Sequence, residues 1–379
     1  MNILEFDKKC TGCGACNAIC PYSAISLELN EDGFYRPMMD KAKCVNCGEC
    51  VKICPVINKP FFIPEQRFYY GWCNDENIRV KSSSGGVFSA LAETILASGG
   101  VVFGAKFSND YTRVVMASTE EATMDELRVS KYCAADANGL YEKMATALKA
   151  GKKVMLTGTP CQISAARRIF AHKNSNLVLV DFICGGNSSA KCYKEYIHFL
   201  EKKYKSKVSS VNFRDKNQGW SRMVLTVNFK NGKKYSSFWE YDPYYVGFYN
   251  TYIRDEQCLD CIFSAHHESD ITIADFWGFR NANIINDEKG ISLIAIHSSI
   301  GEETFQAAKH NMTVFELDRK YGEYGFVQKH ADPKKVNMRK KFFDEFKKNG
   351  FTVAAKRTYF KGGKFGVFVK KTKRKLFKK

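Results

Sequence analysis

The chain has 379 residues, 45% hydrophobic and 26% charged, an ordinary balance for a globular protein with room for two or three domains. No apolar run reaches the roughly 20 residues that span a bilayer, and Met1–Lys9 mixes Glu5, Asp7, Lys8 and Lys9 with apolar residues, so no secretory leader is expected and a reducing, cytoplasmic setting is. The net charge of +18 is lopsided: residues 331–379 hold 18 Lys and Arg against 3 Asp and Glu, whereas the first 330 hold 40 against 37.

Fifteen cysteines in such a setting point to metal ligation or redox chemistry rather than to disulfides. Eight of them form the one internal repeat. Cys10-x-x-Cys13-x-x-Cys16-x-x-x-Cys20-Pro21 recurs as Cys44-x-x-Cys47-x-x-Cys50-x-x-x-Cys54-Pro55. This is the bacterial ferredoxin pattern, in which the fourth cysteine serves the other cluster. The crossed rule assigns Cys10, Cys13, Cys16 and Cys54 to one [4Fe–4S] cluster, and Cys44, Cys47, Cys50 and Cys20 to a second. Gly12, Gly14 and Gly48 supply the backbone freedom of loops wrapped this tightly. Zinc sites usually pair two C-x₂-C units and do not repeat this spacing. Between the copies, Ala24–Leu29 alternates as a strand and Asn30–Gly33 reads as a hairpin turn. Residues 1–58 are expected to form a small α+β ferredoxin domain, and 59–66, with Pro60 and Pro64, a linker.

A second region opens at Arg67. A strand ends at Gly71–Cys73, Ser82–Gly86 leads into a helix over Val87–Ala97, and Val101–Phe107 is a strand. Strand Lys153–Thr157, helix Cys161–Phe170, strand Leu177–Ile183 and helix Ala190–Lys205 follow. Val208–Arg214, Met223–Phe229 and Lys233–Trp239 suit antiparallel strands; Ile271–Phe276 and Leu293–His297 suit buried ones. The fold class expected is α/β with a mixed sheet, divided into domains at 67–150 and 151–320, with a basic tail at 321–379.

Seven cysteines lie in this body. Cys161 stands in Thr157-Gly158-Thr159-Pro160-Cys161-Gln162 at a strand-to-helix turn, and Cys184 ends a strand before Gly185-Gly186. Both fall at the carboxyl edge of strands, where sites assemble in open sheets. With Cys258-x-x-Cys261 they make four soft ligands, enough for a third cubane; the alternative is two half-buried thiols and a zinc half-site. Cys73, Cys133 and Cys192 read as structural. At Ser82, Ser83, Ser84, Gly85 and Gly86, hydroxyls and glycines at a helix start suit an anion held by backbone N–H groups, or a plain N-cap. Asp275, beside Trp277, suits contact with a ring or substrate, or a turn cap. Asp181, inside a hydrophobic strand, is expected to make a buried hydrogen bond. No G-x-G-x-x-G follows a strand, so a nicotinamide site of the Rossmann type has no support.

On these residues the chain resembles the coenzyme F420 hydrogenase/dehydrogenase beta-subunit family of flavin and iron–sulfur oxidoreductases. The matching stretches are Lys81–Leu91, Ser130–Tyr132, Leu156–Ile163, Asn212–Lys216 with Gly219-Trp220, Cys258-x-x-Cys261 and Ser269–Gly278. The resemblance implies FAD held around Ser82–Gly86, Gly158, Thr159 and Asp275, and a cluster on Cys161, Cys184, Cys258 and Cys261. Many members have His-Gly after the Cys184 position; this chain has Gly185-Gly186.

Residues 351–379 interleave Lys and Arg with Tyr359, Phe360, Phe365, Phe368 and Phe377. That pattern suits a solvated tail or an anionic membrane surface at the inner face; no fold motif supports nucleic acid as a partner. The expected function is electron transfer between a two-electron carrier, coenzyme F420-like, and iron–sulfur clusters through FAD, with a redox protein or soluble carrier as partner. The alternative is a relay subunit without catalysis of its own, docked on a larger redox enzyme.

Overall fold

The computed structural model describes residues 9–58, 67–170, 175–323, 326, 330 and 332–360. In the opening module, α1 (Ala15–Ile19) and α2 (Glu49–Lys52) accompany a hairpin of β1 (Ile25–Leu29) and β2 (Tyr35–Met39). The hairpin turn closes through Gly33 N–H to the Asn30 carbonyl at 3.0 Å. The 59–66 linker lies outside the described residues.

The body is built on a nine-stranded sheet. Its order is β14 (Met312–Leu317), β3 (Arg67–Cys73), β13 (Ser292–Ile296), β12 (Ile271–Asp275), β8 (Leu177–Phe182), β7 (Val154–Gly158), β4 (Val101–Phe107), β5 (Val114–Ser118) and β6 (Ala135–Asp136). The central strands β12, β8, β7 and β4 are mutually parallel, and antiparallel pairs flank them. Strands from both sides of residue 150 therefore share one sheet.

Both faces of the central strands are buried, so they read as continuous apolar runs whose alternate residues enter different cores. Val102, Met155, Val178 and Val180 pack under α4 (Val87–Ala97) and α10 (Ser299–Ala308), together with Leu91, Ile95 and Phe305. Phe103, Val154, Leu156 and Leu179 face the opposite core, which holds α6 (Leu140–Lys149), α7 (Pro160–Ile169), α8 (Ala190–Tyr204) and α9 (Pro243–Tyr249). A separate antiparallel sheet of β9 (Val208–Asp215), β10 (Val224–Phe229) and β11 (Lys234–Phe238) covers that core. The short helices α3 (Glu76–Lys81), α5 (Met124–Leu127) and α11 (Arg319–Gly322) lie in connections.

Two features depart from the sequence reading. Cys13, Ala15, Leu27 and Phe34 of the ferredoxin module belong to the main core of the body, and Ala190 N–H bonds the Gly33 carbonyl at 2.8 Å. The two are packed as neighbours. The expected basic tail also needs correction, because α12 (Pro333–Thr358) is a long helix broken at Gly350, whose φ is 74°. Its residues Arg339, Phe342, Phe343 and Phe346 fall at i, i+3, i+4 and i+7, one face of a helix, and the three phenylalanines are buried. Charge counting hid that face. Phe343 meets Phe34 of the hairpin with ring centroids 5.7 Å apart, and Phe351 N–H bonds Glu195 on α8 at 2.6 Å. Phe365, Phe368 and Phe377 lie outside the described residues. Among the described residues no helix is long and apolar enough to cross a membrane.

Candidate functional site

The parallel strands β4, β7, β8 and β12 end on one edge of the sheet, the edge where open α/β sheets collect ligands. A cavity of about 280 Å³ opens there. Three segments expected from the sequence meet on its wall: Ser82–Ser84 with Gly86 before α4, Thr157–Thr159 at the end of β7, and Cys184 after β8.

Gly86 adopts φ 91° and no side chain caps α4, so the positive end of this eleven-residue helix faces the cavity bare. The serines contribute less than their hydroxyls suggest. Ser82 donates to the Ile78 carbonyl at 2.7 Å, Ser84 donates to the Ile291 carbonyl at 2.8 Å, and Ser83 accepts from Ser130 N–H at 2.7 Å. An anion here would meet backbone N–H groups first. Gly85 is absent from the wall; a Cβ on it would lie 2.5 Å from the Gly71 carbonyl oxygen and 2.9 Å from Ser292 N. Its role is close packing of β3 and β13.

Two cations on the wall carried no role in the sequence reading. Arg128 bonds Ser89 Oγ at 2.8 Å, and Lys131 Nζ bonds the carbonyls of Glu126, Leu127 and Arg128 at 2.7, 3.1 and 2.7 Å. Burial pulls Lys131 down to about 7. Only the Ser130-Lys-Tyr stretch hinted at it, since no spacing rule marks a lysine that folds back onto its own loop. Cys133, read as structural, also lines the cavity, whereas Cys73 and Cys192 are buried away from its wall.

On the opposite side, Asp275 is gripped by Arg214 through two hydrogen bonds and accepts from Trp220 Nε1 at 3.1 Å. Its oxygens are thus engaged within the protein. Thr159 caps α7, its N–H and Oγ1 both meeting Gln162 Oε1 at 3.0 and 3.1 Å, and Gly158 packs against the same amide. Thr157 Oγ1 is buried without a partner, an orphan that a bound polar group would satisfy. Asp181 is fully buried and bonded to His267 Nδ1 at 2.8 Å, Ser269 Oγ at 2.9 Å and Thr272 Oγ1, as its place in an apolar strand leads one to expect.

The cysteines fall into three groups. One small cavity is lined by Cys10, Cys13, Cys16 and Cys54, another by Cys20, Cys44, Cys47 and Cys50. These are the two sets that the crossed rule names. In the body, Cys161 lies within charge range of Cys184 and Cys261, and Cys258 within range of the same two, so the four close into a ring. Among the described residues no three Cys, His, Asp or Glu side chains converge closely enough for a single ion. A cubane holds its four thiolates further apart.

Backbone N–H groups approach the sulfurs in both regions. Gly12 N–H meets Cys10 Sγ and Ala24 N–H meets Cys20 Sγ, each at 3.3 Å; Gly186 N–H meets Cys184 Sγ and Asn187 N–H meets Cys258 Sγ at the same distance. Gly186 has φ 106°, and a Cβ on it would lie 2.9 Å from Cys258 Cβ, so only glycine lets the two loops meet. Burial pushes Cys10 up to about 11 and Cys161 up to about 12. Thiols this dry become thiolates only against a cation held among them.

The group of Cys10, Cys13, Cys16 and Cys54 neighbours both of the others. Cys13 lies within charge range of Cys161, and Cys16 within range of Cys50. In the Cys20 group, Cys47 is exposed.

Comparison with known proteins matches residues 9–58 to a 4Fe-4S dicluster domain. Residues 68–141 match the N-terminal part, and residues 151–320 the C-terminal part, of the family described as the beta subunit of coenzyme F420 hydrogenase/dehydrogenase. A curated relative, one of the polypeptides of the F(420)H(2) dehydrogenase of Methanosarcina mazei, is 23% identical over 324 residues, covering 81% of this chain and 84% of the relative. A chain in the xenon-derivatised F420-reducing [NiFe] hydrogenase complex of Methanosarcina barkeri is 15% identical with a TM-score of 0.46, over 77% of this chain and 90% of that one.

Proposed function

The chain belongs to the coenzyme F420 hydrogenase/dehydrogenase beta-subunit family and carries a 4Fe-4S dicluster domain ahead of it; on that premise we propose that it is a flavin-dependent electron-transfer enzyme linking a two-electron carrier to three clusters. One observation supports this above the others: a single cavity touches the bare start of α4 and, beside it, Cys13, Cys161 and Cys184. When bound, FAD exchanges electron pairs and the clusters carry electrons singly.

The residues have separable tasks in this reading. The N–H groups at Gly86–Phe88, with Lys131 and Arg128 nearby, hold the pyrophosphate. Gly158 and Thr159 shape the turn beside the ring, and the Arg214–Asp275 pair keeps that wall polar and rigid. Cys161, Cys184, Cys258 and Cys261 hold the third cluster, placed next to the Cys13 set. The named relative is a subunit of an F(420)H(2) dehydrogenase, so F(420)H(2) is the first carrier to try, and the exposed edge at Cys47 is the face for a protein partner.

The test is the flavin and iron content of full-length protein purified without oxygen. Flavin released on denaturation, with about twelve irons per chain, is the expected result. About eight irons and no flavin would leave the relay-subunit alternative in its place.

A further inference from the structure

Arg254 carries a charge that no acid matches. Its Nε is shut away from solvent without a hydrogen-bond partner, and its guanidinium lies 4.4 Å from the centroid of the Phe248 ring. The next residue, Asp255, is taken by Arg36 through hydrogen bonds of 3.0 and 2.8 Å. Asp275, on the cavity wall, is taken by Arg214. Among the described residues Arg254 joins no ion pair with a carboxylate.

Sulfur faces it instead. A Cβ placed on Gly186 would lie 3.2 Å from Arg254 Cδ and 3.5 Å from Cys258 Sγ, so the side chain and the thiol border the same glycine. A Cβ on Gly185, the residue after Cys184, would lie 3.8 Å from an Arg254 terminal nitrogen. Burial works against its protonated form and lowers its pKa, and the first charges to oppose that are those of Cys258 and Cys184.

A guanidinium does not discharge by losing its proton, and one that is partly buried, with its Nε shut from water and without a partner, is costly to leave without a compensating charge. The Phe248 ring face meets part of that need, and negative charge beside it meets the rest. Four thiolates around a [4Fe–4S]²⁺ core carry about −2, and one more electron makes the group more negative still. We propose that Arg254 is the fixed counter-charge of the cluster held by Cys161, Cys184, Cys258 and Cys261, and that it favours the reduced form of that site. The inference rests on the third-cluster reading. One electron from an external reductant enters and no proton need follow, since the guanidinium stays protonated in both states. This makes Arg254 a positioning residue for charge, outside direct contact with substrate.

The experiment is an anaerobic dithionite titration of the full chain, followed by electron paramagnetic resonance, on wild type, Arg254→Met and Arg254→Lys. In R254M the body signal is expected to become harder to reduce by about tenfold in the one-electron equilibrium, about 59 mV for a one-electron couple, while the ferredoxin signals stay in place. R254K keeps the charge and is expected to stay within about threefold of wild type. An unshifted R254M with full iron overturns the proposal, as does R254K shifting as far as R254M. Loss of the third cluster in R254M with retention in R254K supports it; loss in both points to packing and overturns it. Wild type with about eight irons and no third signal ends the third-cluster reading and this inference together, a result distinct from an unshifted potential.

Discussion

The phenol of Tyr141 donates a 2.7 Å hydrogen bond to the backbone carbonyl of Cys13. The same hydroxyl lies 3.2 Å from the Gln162 carbonyl, one residue beyond Cys161. A fully buried side chain on α6 thus pins the nearest cysteine of the ferredoxin module to the helix that carries a body cysteine. Tyr141→Phe removes the donor and leaves a buried carbonyl short of a partner, at a cost of about 1–3 kcal/mol. Anaerobic urea unfolding should show a lowered midpoint with iron content unchanged; an unmoved midpoint would mean that the phenol contributes nothing to this joint.

The crossed grouping predicts which losses coincide. Cys20→Ala and Cys47→Ala should each remove the same paramagnetic signal and about four irons, while Cys54→Ala removes the other, together with Cys10→Ala. Loss of one signal by Cys20→Ala and Cys10→Ala alike would refute the grouping.

Gly85 offers a test of the sheet beneath the cavity. An added methyl group meets the Gly71 carbonyl oxygen at 2.5 Å and Ser292 N at 2.9 Å, backbone atoms that cannot swing aside. Gly85→Ala is expected to destabilise the body by about 1–3 kcal/mol and, by moving the start of α4, to weaken flavin retention. Thermal unfolding and flavin content after gel filtration read the two effects; full stability in G85A would count against the tight packing of Gly85 on the β3 and β13 backbones.

Acid sensitivity should follow His297. Burial lowers it from 6.5 to about 4, with Asp181 and Asp270 opposing that shift and His267 and Arg167 adding to it. Its Nε2 meets Thr272 Oγ1 at 2.8 Å. The unfolded chain takes up this proton near 6.5 and the folded chain near 4, so the stability is complete above about 6.5 and is lost as pH falls towards 4. The loss amounts to at most about 3 kcal/mol. Unfolding free energies measured across that range should show a steeper slope for wild type than for His297→Gln, and equal slopes would remove His297 from the account.

Phe343 tests whether α12 belongs to the core. It is buried between the ferredoxin hairpin and the Phe342–Phe346 face. Truncation to alanine should cost about 3–5 kcal/mol, whereas Lys348→Ala, on the exposed side, should stay within about 0.5 kcal/mol. Comparable small effects from both would return the segment to the status of an appended tail.

Local chemistry was legible without coordinates. The C-x₂-C-x₂-C-x₃-C-P run occurs twice, so Cys10–Cys54 announce a two-cluster module by spacing, with the fourth cysteine of each run crossing to the other set, and strands buried on both faces, such as Val154–Gly158 and Leu177–Phe182, show as apolar runs. Even Asp181 was readable, because an acid inside such a run needs donors around it. Neighbourhood was decided elsewhere. That Cys13 comes beside Cys161, that Lys131 turns back onto three carbonyls, that Arg36 takes Asp255 and leaves Arg254 facing sulfur, and that phenylalanines after residue 340 enter the core are all products of packing between distant segments. Charge compensation and burial depend on which atoms share a volume, and periodicity along one chain does not record that.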